Sequence, residues 1–262
     1  MLDEIESILL EMCDVAARET MPRFRMRLTV DNKDDGDGGG FDPVTAADKE
    51  AERAIRRLLA ERFPDHGILG EEEAPLNPDA EYCWHIDPVD GTRAFICGLP
   101  SWGTLIGLAR NGRAIAGVMH QPFTGEYFLA DGDNSWAIRQ DTRKSLHTSG
   151  VTELANAKLM TTTPFLFADN IIGGYRALEA KVRLARYGFD CYAYAMVAAG
   201  NIDLVVESGL KSYDIAALIP VVEQAGGVVT TWAGDNAIGG GSIIAAATPA
   251  LHATAIEILN RN

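Results

Sequence analysis

The sequence predicts a chain of mixed α and β structure whose pattern changes near Leu146. Apolar residues recur at helical spacing over about 2–20 and 46–62, and short β-rich runs bounded by turn residues follow them. After Leu146, strand-like and helix-like segments alternate. With 262 residues, 47% of them hydrophobic, the chain can bury a substantial core as one compact unit.

Turn and cap signals define the elements of the first part. Thr45 and Asp48 are both suitable caps for the start of the second helix. Three strands are predicted next, at 102–109, 114–120 and 126–130. The pair Asn111-Gly112, typical of type I′ hairpins, separates the first two strands, and a turn at 122–125 precedes the third.

The second part is predicted from shorter apolar segments. The expected helices are 192–199, 215–223 and 249–259, and the expected strands are 202–207, 228–231 and 243–246. We therefore expect two halves of one compact unit, an N-terminal α+β half (1–145) and a C-terminal α/β half (146–262).

Composition excludes several classes of function. The net charge of −14 argues against binding to nucleic acid, which requires a basic surface, and no apolar run is long enough to span a bilayer. The acidic N-terminal segment lacks the basic start of a signal peptide. The four cysteines contain no C-x-x-C pair, which favours reduced thiols in a cytoplasm, and the five scattered histidines do not predict a zinc site.

The most informative segment is 84–95, which reads Trp-His-Ile-Asp-Pro-Val-Asp-Gly-Thr-Arg-Ala-Phe. Asp87 and Asp90 flank a Pro-Val turn after a buried strand, so both carboxylates can point at one spot where a hard cation such as Mg²⁺ binds. Gly91 and Thr92 open a predicted helix, whose free backbone N–H groups suit an anion such as phosphate. Because a lone Asp-Pro-x-Asp-Gly sequence is usually only a turn, this interpretation needs support from other segments.

Three other segments present acids in suggestive positions. Asp48 follows Thr45 at the start of the second helix, Glu71 follows an apolar run, and Asp214 heads the apolar helix at 215–223. Taken singly, Asp48 and Asp214 would be helix caps, and the acids at 71–73 would be a solvated charge run.

Together these segments resemble the inositol monophosphatase-like family of Mg²⁺-dependent, Li⁺-sensitive phosphatases. The matching motifs occur in the family's order: Val44-Thr45-Ala-Ala-Asp48, Gly70-Glu71-Glu72, Asp87-Pro-Val-Asp90-Gly-Thr92, and Tyr213-Asp214 followed by Glu223-Gln-Ala-Gly-Gly227. The resemblance covers about residues 41–227. It implies a layered α-β-α-β-α sandwich of the inositol monophosphatase/fructose-bisphosphatase type, with the metal site between the two halves.

The resemblance also implies roles for the matching residues. The metal ligands would be Glu71, Asp87, Asp90, Asp214 and the backbone carbonyl of Val89, with Asp87 bridging two ions. Asp48 and Thr92, with Glu71, would be catalytic residues that orient and deprotonate the attacking water. The amides of Gly91 and Thr92 would hold phosphate oxygens, and Glu207 would contact the substrate alcohol.

The chemistry of these acids agrees with such roles. A phosphate monoester is a dianion, so converging carboxylates would repel it unless cations lie between them. Two Mg²⁺ ions would activate a water for in-line attack and stabilise the leaving alkoxide. In the family a mobile loop contributes a lysine near the metals; here only Lys33, in the acidic glycine-rich loop 31–40, could take that place. We therefore expect two or three ions.

Substrate preference is suggested by the segment 186–194. Inositol-type members of the family have two small residues against the substrate ring, where this chain has Phe189 and Asp190. The segment resembles the histidinol-phosphatase branch of the family. Histidinol phosphate carries an ammonium and an imidazole, which Asp190 and Glu207 could both engage. Asp190 could instead cap the helix that begins near Tyr192, and Arg93 could steer the anionic substrate or pair with an acid.

We therefore expect a cytoplasmic, lithium-sensitive histidinol-phosphatase that hydrolyses L-histidinol phosphate to L-histidinol and phosphate. An inositol-1-monophosphatase or a broad sugar-phosphate phosphatase is the alternative. A non-catalytic metal-binding relative is disfavoured, because no matching ligand is missing. The expected partners are a small phosphate monoester and, from the habit of the family alone, a second copy in a homodimer, with no nucleic acid and no membrane.

Overall fold

The computed structural model describes residues 2–27, 29–32 and 43–261. Within these ranges there are eight α-helices: α1 (Leu2–Thr20), α2 (Ala46–Arg62), α3 (Thr92–Ile96), α4 (Ile172–Glu179), α5 (Asp190–Ala198), α6 (Ser212–Ile215), α7 (Leu218–Glu223) and α8 (Pro249–Leu259). None of these helices is both long and apolar enough to cross a lipid bilayer. Lys33 and most of the acidic loop fall at 33–42, outside the described residues, so the prediction of a third ion stays a prediction.

The strands of the described ranges form three sheets. The strands are β1 (Asp31–Asn32), β2 (Pro43–Val44), β3 (Gly67–Gly70), β4 (Tyr82–Asp90), β5 (Gly103–Arg110), β6 (Arg113–Gln121), β7 (Glu126–Ala130), β8 (Ser135–Arg139), β9 (Thr142–Ser145), β10 (Lys158–Thr161), β11 (Leu184–Tyr187), β12 (Leu204–Leu210), β13 (Val228–Thr231) and β14 (Gly241–Ala246). β1 and β2 pair as a small antiparallel ribbon.

The two larger sheets are each built from one continuous part of the chain. The first sheet has seven strands in sequence order from β3 to β9, and only β3 and β4 are parallel. The second has five strands in the order β11-β10-β12-β14-β13, with the first three parallel and the last two antiparallel to their neighbours. We keep the division into halves at residues 145 and 146 as a proposal about domains.

Three hydrophobic clusters stack the sheets between helices. One joins α1 and α2 to the outer face of the first sheet through residues such as Leu9, Ile55 and Trp84. A second lies between the sheets and is filled by α5 and α7, with Val197 and Val221 fully buried. The third joins α4 and α8 to the outer face of the second sheet. The layers are therefore α-β-α-β-α, which confirms the architecture that the family resemblance implies.

The structure corrects several local predictions. The single helix predicted for 215–223 is two helices, because Pro220 has no N–H to donate to the carbonyl of Ala216. The helix expected from Tyr192 begins two residues earlier, and the strand expected at 202–207 lies at Leu204–Leu210. The elements β8 to β11 and α4 were not predicted; β9 and β11 are largely exposed and have little hydrophobic pattern.

Two glycines of the first sheet, Gly107 and Gly117, allow the helices α6 and α7 to approach that sheet closely. A Cβ on Gly107 would lie 2.6 Å from the amide nitrogen of Ala217, and one on Gly117 would lie 2.5 Å from its carbonyl oxygen. Both contacts are with backbone between α6 and α7, which cannot move without shifting both helices. The distance of α6 from the first sheet therefore depends on these glycines.

We expect Gly117→Ala to lower the free energy of unfolding by about 1–3 kcal/mol, because the added methyl group overpacks this contact. Chemical denaturation followed by circular dichroism measures the change. Gly150→Ala is the matched control, since a Cβ there meets no atom within 4 Å. Equal effects of the two substitutions would show that the contact with Ala217 does not constrain the helices.

Candidate metal and phosphate site

A β-bulge in β4 turns two aspartates toward the same side of the sheet. Residues three apart in a regular strand face opposite sides. In β4, Asp87 pairs with Leu105 but Asp90 pairs with Gly103, so one extra residue is inserted between them. Pro88 lies in the bulge, where its lack of an N–H is tolerated, and its carbonyl accepts a hydrogen bond from Thr104 Oγ1 at 2.8 Å.

The chain continues from the bulge into the short helix α3. Gly91 precedes the helix with φ of 79°, a left-handed conformation that favours glycine. A Cβ there would also lie only 3.0 Å from Asp190 Oδ2. Thr92 Oγ1 donates to the carbonyl of Val89 at 3.0 Å, which fixes that carbonyl while leaving it a second lone pair.

Asp214 reaches the same place from the other part of the chain. It is the third residue of α6, and its Oδ2 accepts the N–H of Lys211 at 2.6 Å. Asp214 therefore caps α6 from within its first turn, whereas the N-cap position itself is Lys211. Capping occupies one carboxylate oxygen, so capping and metal binding do not exclude each other.

The carboxylates converge on one cavity of about 400 Å³. Ligand oxygens of Asp87, Asp90 and Asp214 lie within 4.8 Å of one another, the spacing expected around a shared cation. The cavity is also lined by the other sequence-predicted site residues except Asp48, namely Glu71, Val89, Gly91, Thr92, Arg93, Asp190 and Glu207.

Burial and mutual repulsion both oppose ionisation of the carboxylates in this cluster. Burial raises the pKa of Asp87 well above its usual value, and the charges of Glu71, Asp90 and Asp214 raise it further. The pKa of Asp90 is also raised well above its usual value, first by burial and then by the charges of Asp190 and Asp214. Divalent cations would relieve this repulsion.

The donor set fits Mg²⁺. All of the converging groups are oxygens, the ligand type that hard divalent cations prefer. Asp48, whose side chain is fully buried, keeps its Oδ1 without a hydrogen-bond partner among the described residues. A buried carboxylate oxygen without a partner is costly, so this atom is suited to an ordered water or an ion.

Asp48 and Thr92 are not joined by a hydrogen bond in this arrangement. Asp48 Oδ2 accepts from the amide and the hydroxyl of Thr45, at 3.0 and 2.6 Å, so Asp48 takes part in capping α2. The single hydroxyl proton of Thr92 goes to Val89. The predicted cooperation of these residues on a water therefore stays a proposal. Burial raises the pKa of Asp48, which makes it a stronger base once ionised.

A second pair of acids, Asp190 and Glu207, lines the same cavity. Asp190 Oδ1 accepts from Thr162 Oγ1 at 3.0 Å, and Glu207 Oε1 accepts from the Thr162 amide at 2.6 Å. Asp190 does not cap α5 through its side chain, since the N–H of Cys191 donates to Asp90 Oδ2 at 2.7 Å. The capping interpretation of Asp190 is therefore wrong.

The positive charge of Arg93 acts on Asp190. Burial raises the pKa of Asp190, and the hydrogen bond from Thr162 and the positive charge of Arg93 partly offset that effect. This favours the interpretation that Arg93 pairs with a nearby acid. Burial also raises the pKa of Glu207 to about 8.

Sequence reasoning missed Thr162, Tyr194 and Lys211, which also line the cavity. Thr162 follows β10, and the pairing of Met160 with Val205 brings the residues two positions further along, Thr162 and Glu207, side by side. A run of three threonines after an apolar segment was the available signal. Tyr194 is 2% exposed and its hydroxyl has no hydrogen-bond partner within the described ranges, which suits a ligand in the cavity.

Comparison with known proteins shows to which protein family the chain belongs. The sequence model of the inositol monophosphatase family matches residues 1–262. The chain therefore belongs to the inositol monophosphatase family, a family of metal-dependent phosphatases.

Individual relatives carry more than one substrate name. The chain is 37% identical over 249 residues to the bifunctional phosphatase IMPL2, chloroplastic, of Arabidopsis thaliana, covering 94% of this chain and 70% of the relative. It is 32% identical over 248 residues to a histidinol-phosphatase of Chlorobaculum parvum, covering 93% and 92%. A solved inositol monophosphatase from Zymomonas mobilis superimposes with a TM-score of 0.86 at 38% identity, covering 99% of this chain and 98% of that one.

The buried carboxyl of Glu207 predicts a pH dependence of stability. Because its pKa in the folded protein, about 8, exceeds the usual 4.5, its protonation stabilises the fold at low pH. That contribution is complete below about pH 4.5 and is lost as the pH rises through about 8. We expect wild-type protein without divalent cations to lose stability relative to Glu207→Gln over this window, by at most about 1.4 kcal/mol per pH unit.

Chemical denaturation at a series of pH values measures the difference between the two proteins. Glutamine keeps an acceptor for the Thr162 amide, so the variant is expected to fold. Glu257→Gln, at an exposed position on α8, should follow the wild-type curve. Parallel curves for wild type and Glu207→Gln would contradict the raised pKa.

Proposed function

We propose that this protein is a Mg²⁺-dependent histidinol-phosphatase. The observation that carries the substrate assignment is the acidic pair Asp190 and Glu207, which lines the same cavity as the metal-ligand cluster and shares the donor Thr162. The name of the relative from Chlorobaculum parvum supports the same assignment.

The proposed metal ligands are Glu71, Asp87, Asp90, Asp214 and the carbonyl of Val89, with Asp87 shared between two ions. When bound, the ions would supply Lewis-acid stabilisation of the phosphate and of the leaving alkoxide, and would lower the pKa of a water. The positive charge of Arg93 acts on Asp190, the acid proposed below to bind the substrate.

Other residues of the chain would bind the phosphate and position the attacking water. The backbone amides of Gly91 and Thr92 bind phosphate oxygens at the start of α3. Asp48 Oδ1, which is buried and without a partner among the described residues, accepts the proton of the attacking water. Thr92 orients that water and keeps the Val89 carbonyl in place through its hydroxyl.

Asp190 and Glu207 bind the positively charged part of the substrate. Histidinol phosphate carries an ammonium and an imidazole, both hydrogen-bond donors when protonated. Two buried acids that share the donor Thr162 keep acceptor oxygens for such a ligand, and a bound cation offsets the burial that raises their pKa values. A neutral polyol would provide no such compensation.

An inositol or broad sugar-phosphate phosphatase is the second candidate. The name of the Zymomonas mobilis relative, an inositol monophosphatase at 38% identity, favours this second candidate. The metal-ligand cluster would be the same in both, so the choice depends on the acidic pair. Inhibition by Li⁺ and a homodimer remain expectations from the family resemblance, and a cytoplasmic location remains an expectation from the cysteine pattern.

The direct test is release of phosphate in the presence of Mg²⁺ from L-histidinol phosphate and from inositol 1-phosphate. We expect kcat/KM to be higher for histidinol phosphate. A preference for inositol phosphate would overturn the substrate assignment while keeping the phosphatase assignment, and activity on neither would overturn both named substrates.

Asp190→Asn separates the two substrates further. Asparagine tolerates the left-handed backbone at this position, where φ is 40°, and still accepts the Thr162 hydrogen bond. Because a hydrogen bond to a charged group contributes about 1.5–3 kcal/mol, we expect kcat/KM for histidinol phosphate to fall about 10- to 100-fold. For inositol phosphate the loss should stay below about 3-fold, and an equal loss on both would make Asp190 structural.

Asp90→Asn tests the metal ligands. The amide oxygen can still accept the N–H of Cys191, so the fold should be retained, but one cation loses a charged ligand. We expect turnover to fall by more than about 100-fold, beyond the range typical of changes outside the ligand set. Steady-state kinetics at several Mg²⁺ concentrations measures this, with the exposed Asp169→Asn as control. Normal turnover would contradict the ligand assignment.

A further inference from the structure

Helix α2 presents a row of three polar residues on its buried side. Asp48, Glu52 and Arg56 are spaced by four residues and therefore lie one above another on the same face. Asp48 belongs to the proposed catalytic residues. Glu52 and Arg56 have no role in the functional site as described so far, yet the Glu52 side chain is fully buried.

The Glu52 carboxylate binds the turn that follows β3. Its Oε2 accepts the backbone N–H of Glu72 at 2.8 Å, and its Oε1 accepts the N–H of Glu73 at 3.2 Å. These are the two amides immediately after Glu71. Two hydrogen bonds to one rigid carboxylate fix the direction in which the chain leaves Glu71.

Arg56 completes this arrangement. Its Nε donates to Glu52 Oε1 at 2.7 Å, and its terminal nitrogen donates to the carbonyl of Glu73 at 3.1 Å. A buried carboxylate is tolerated only when it is paired and hydrogen-bonded, and Glu52 meets both conditions through this arginine and the two amides. The arginine thereby holds both the carboxylate and the far end of the turn.

Gly70 permits the close approach. A Cβ at this position would overlap the Glu52 carboxylate, with Oε2 only 2.7 Å away. The backbone of Gly70 is not in the left-handed region, and the three atoms nearest to such a Cβ all belong to this carboxylate. The residue before Glu71 is therefore glycine because Glu52 lies against it.

We infer that Glu52 is a positioning residue, which sets the affinity of the metal site by holding the Gly70–Glu73 turn and thereby the Glu71 carboxylate. The inference rests on the proposed role of Glu71 as a metal ligand. Partners that orient a metal ligand usually change metal affinity about 10- to 100-fold when they are removed.

The test is calorimetric titration of Mg²⁺ into metal-free protein. Glu52→Gln has one acceptor oxygen instead of two, so one of the two amides loses its partner. We expect Mg²⁺ affinity to fall about 10- to 100-fold while far-UV circular dichroism stays that of the wild type. Saturating Mg²⁺ should restore most of the turnover, which a merely structural role would not produce.

The matched control is Glu61→Gln, the same chemical change on the same helix. The Glu61 side chain is exposed and makes no bond to the turn in the described structure. It should keep wild-type Mg²⁺ affinity. Wild-type affinity in a folded Glu52→Gln protein would overturn the inference.

A second variant covers the case in which Glu52→Gln does not fold. Gly70→Ala displaces the carboxylate without removing it, so Mg²⁺ affinity should fall in the same direction. In a Glu52→Ala protein, adding Gly70→Ala should change the Mg²⁺ affinity little further, because the carboxylate that the new methyl group would displace is absent. Additive effects, or no effect of Gly70→Ala on affinity, would overturn the inference.

The outcomes also separate this inference from the proposed function. If wild-type protein binds no Mg²⁺, the proposed metal site itself fails. If wild type binds Mg²⁺ and the Glu52 and Gly70 variants bind it equally well, only the positioning role of Glu52 fails.

Discussion

Repulsion between buried carboxylates is the constraint on which the rest of this structure depends. Asp87, Asp90 and Asp214 bring oxygens within 4.8 Å of one another, and the pKa values of Asp87 and Asp90 are raised because burial and like charge both oppose ionisation. Such a cluster is unfavourable by itself and becomes favourable when cations bind. The same cations allow an acidic site to accept a phosphate dianion, so the property that costs stability is also the one that supports phosphatase chemistry.

The fold concentrates these acids by local devices at the ends of elements. A bulge around Pro88 turns Asp87 and Asp90 to one side, and the capping bond from the Lys211 amide fixes the Asp214 carboxylate beside the same cavity. The hydrogen bond from the Cys191 amide to Asp90 joins the first sheet to α5, which also carries Asp190. The glycine contacts of Gly107 and Gly117 set the approach of α6 and α7. The geometry of the site and the packing between the two larger sheets are therefore coupled through the same few contacts.

The motifs of the site could be recognised in the sequence, but the tertiary contacts between them could not. The convergence of Asp87, Asp90 and Asp214 was predicted from the order of the motifs. The bounds predicted for the long amphipathic helices α1 and α2 agree with those observed. Thr162 was missed, because the strand β10 that precedes it is short and its contact with Glu207 spans 45 residues. Asp190 was mistaken in one interpretation for a cap, since its left-handed backbone and its bond to Thr162 leave no local pattern. The periodicity of apolar residues does not predict contacts between segments that are distant in the sequence.

The most direct test of the account is the proton balance of Mg²⁺ binding to the metal-free wild-type protein. Titration calorimetry near pH 6, repeated in buffers of different ionisation enthalpy, gives both the affinity and the number of protons released. Acids with raised pKa values must lose their protons when a cation binds, so the account predicts Mg²⁺ uptake with release of protons. Absence of Mg²⁺ uptake at millimolar concentrations, or uptake without proton release, would contradict it.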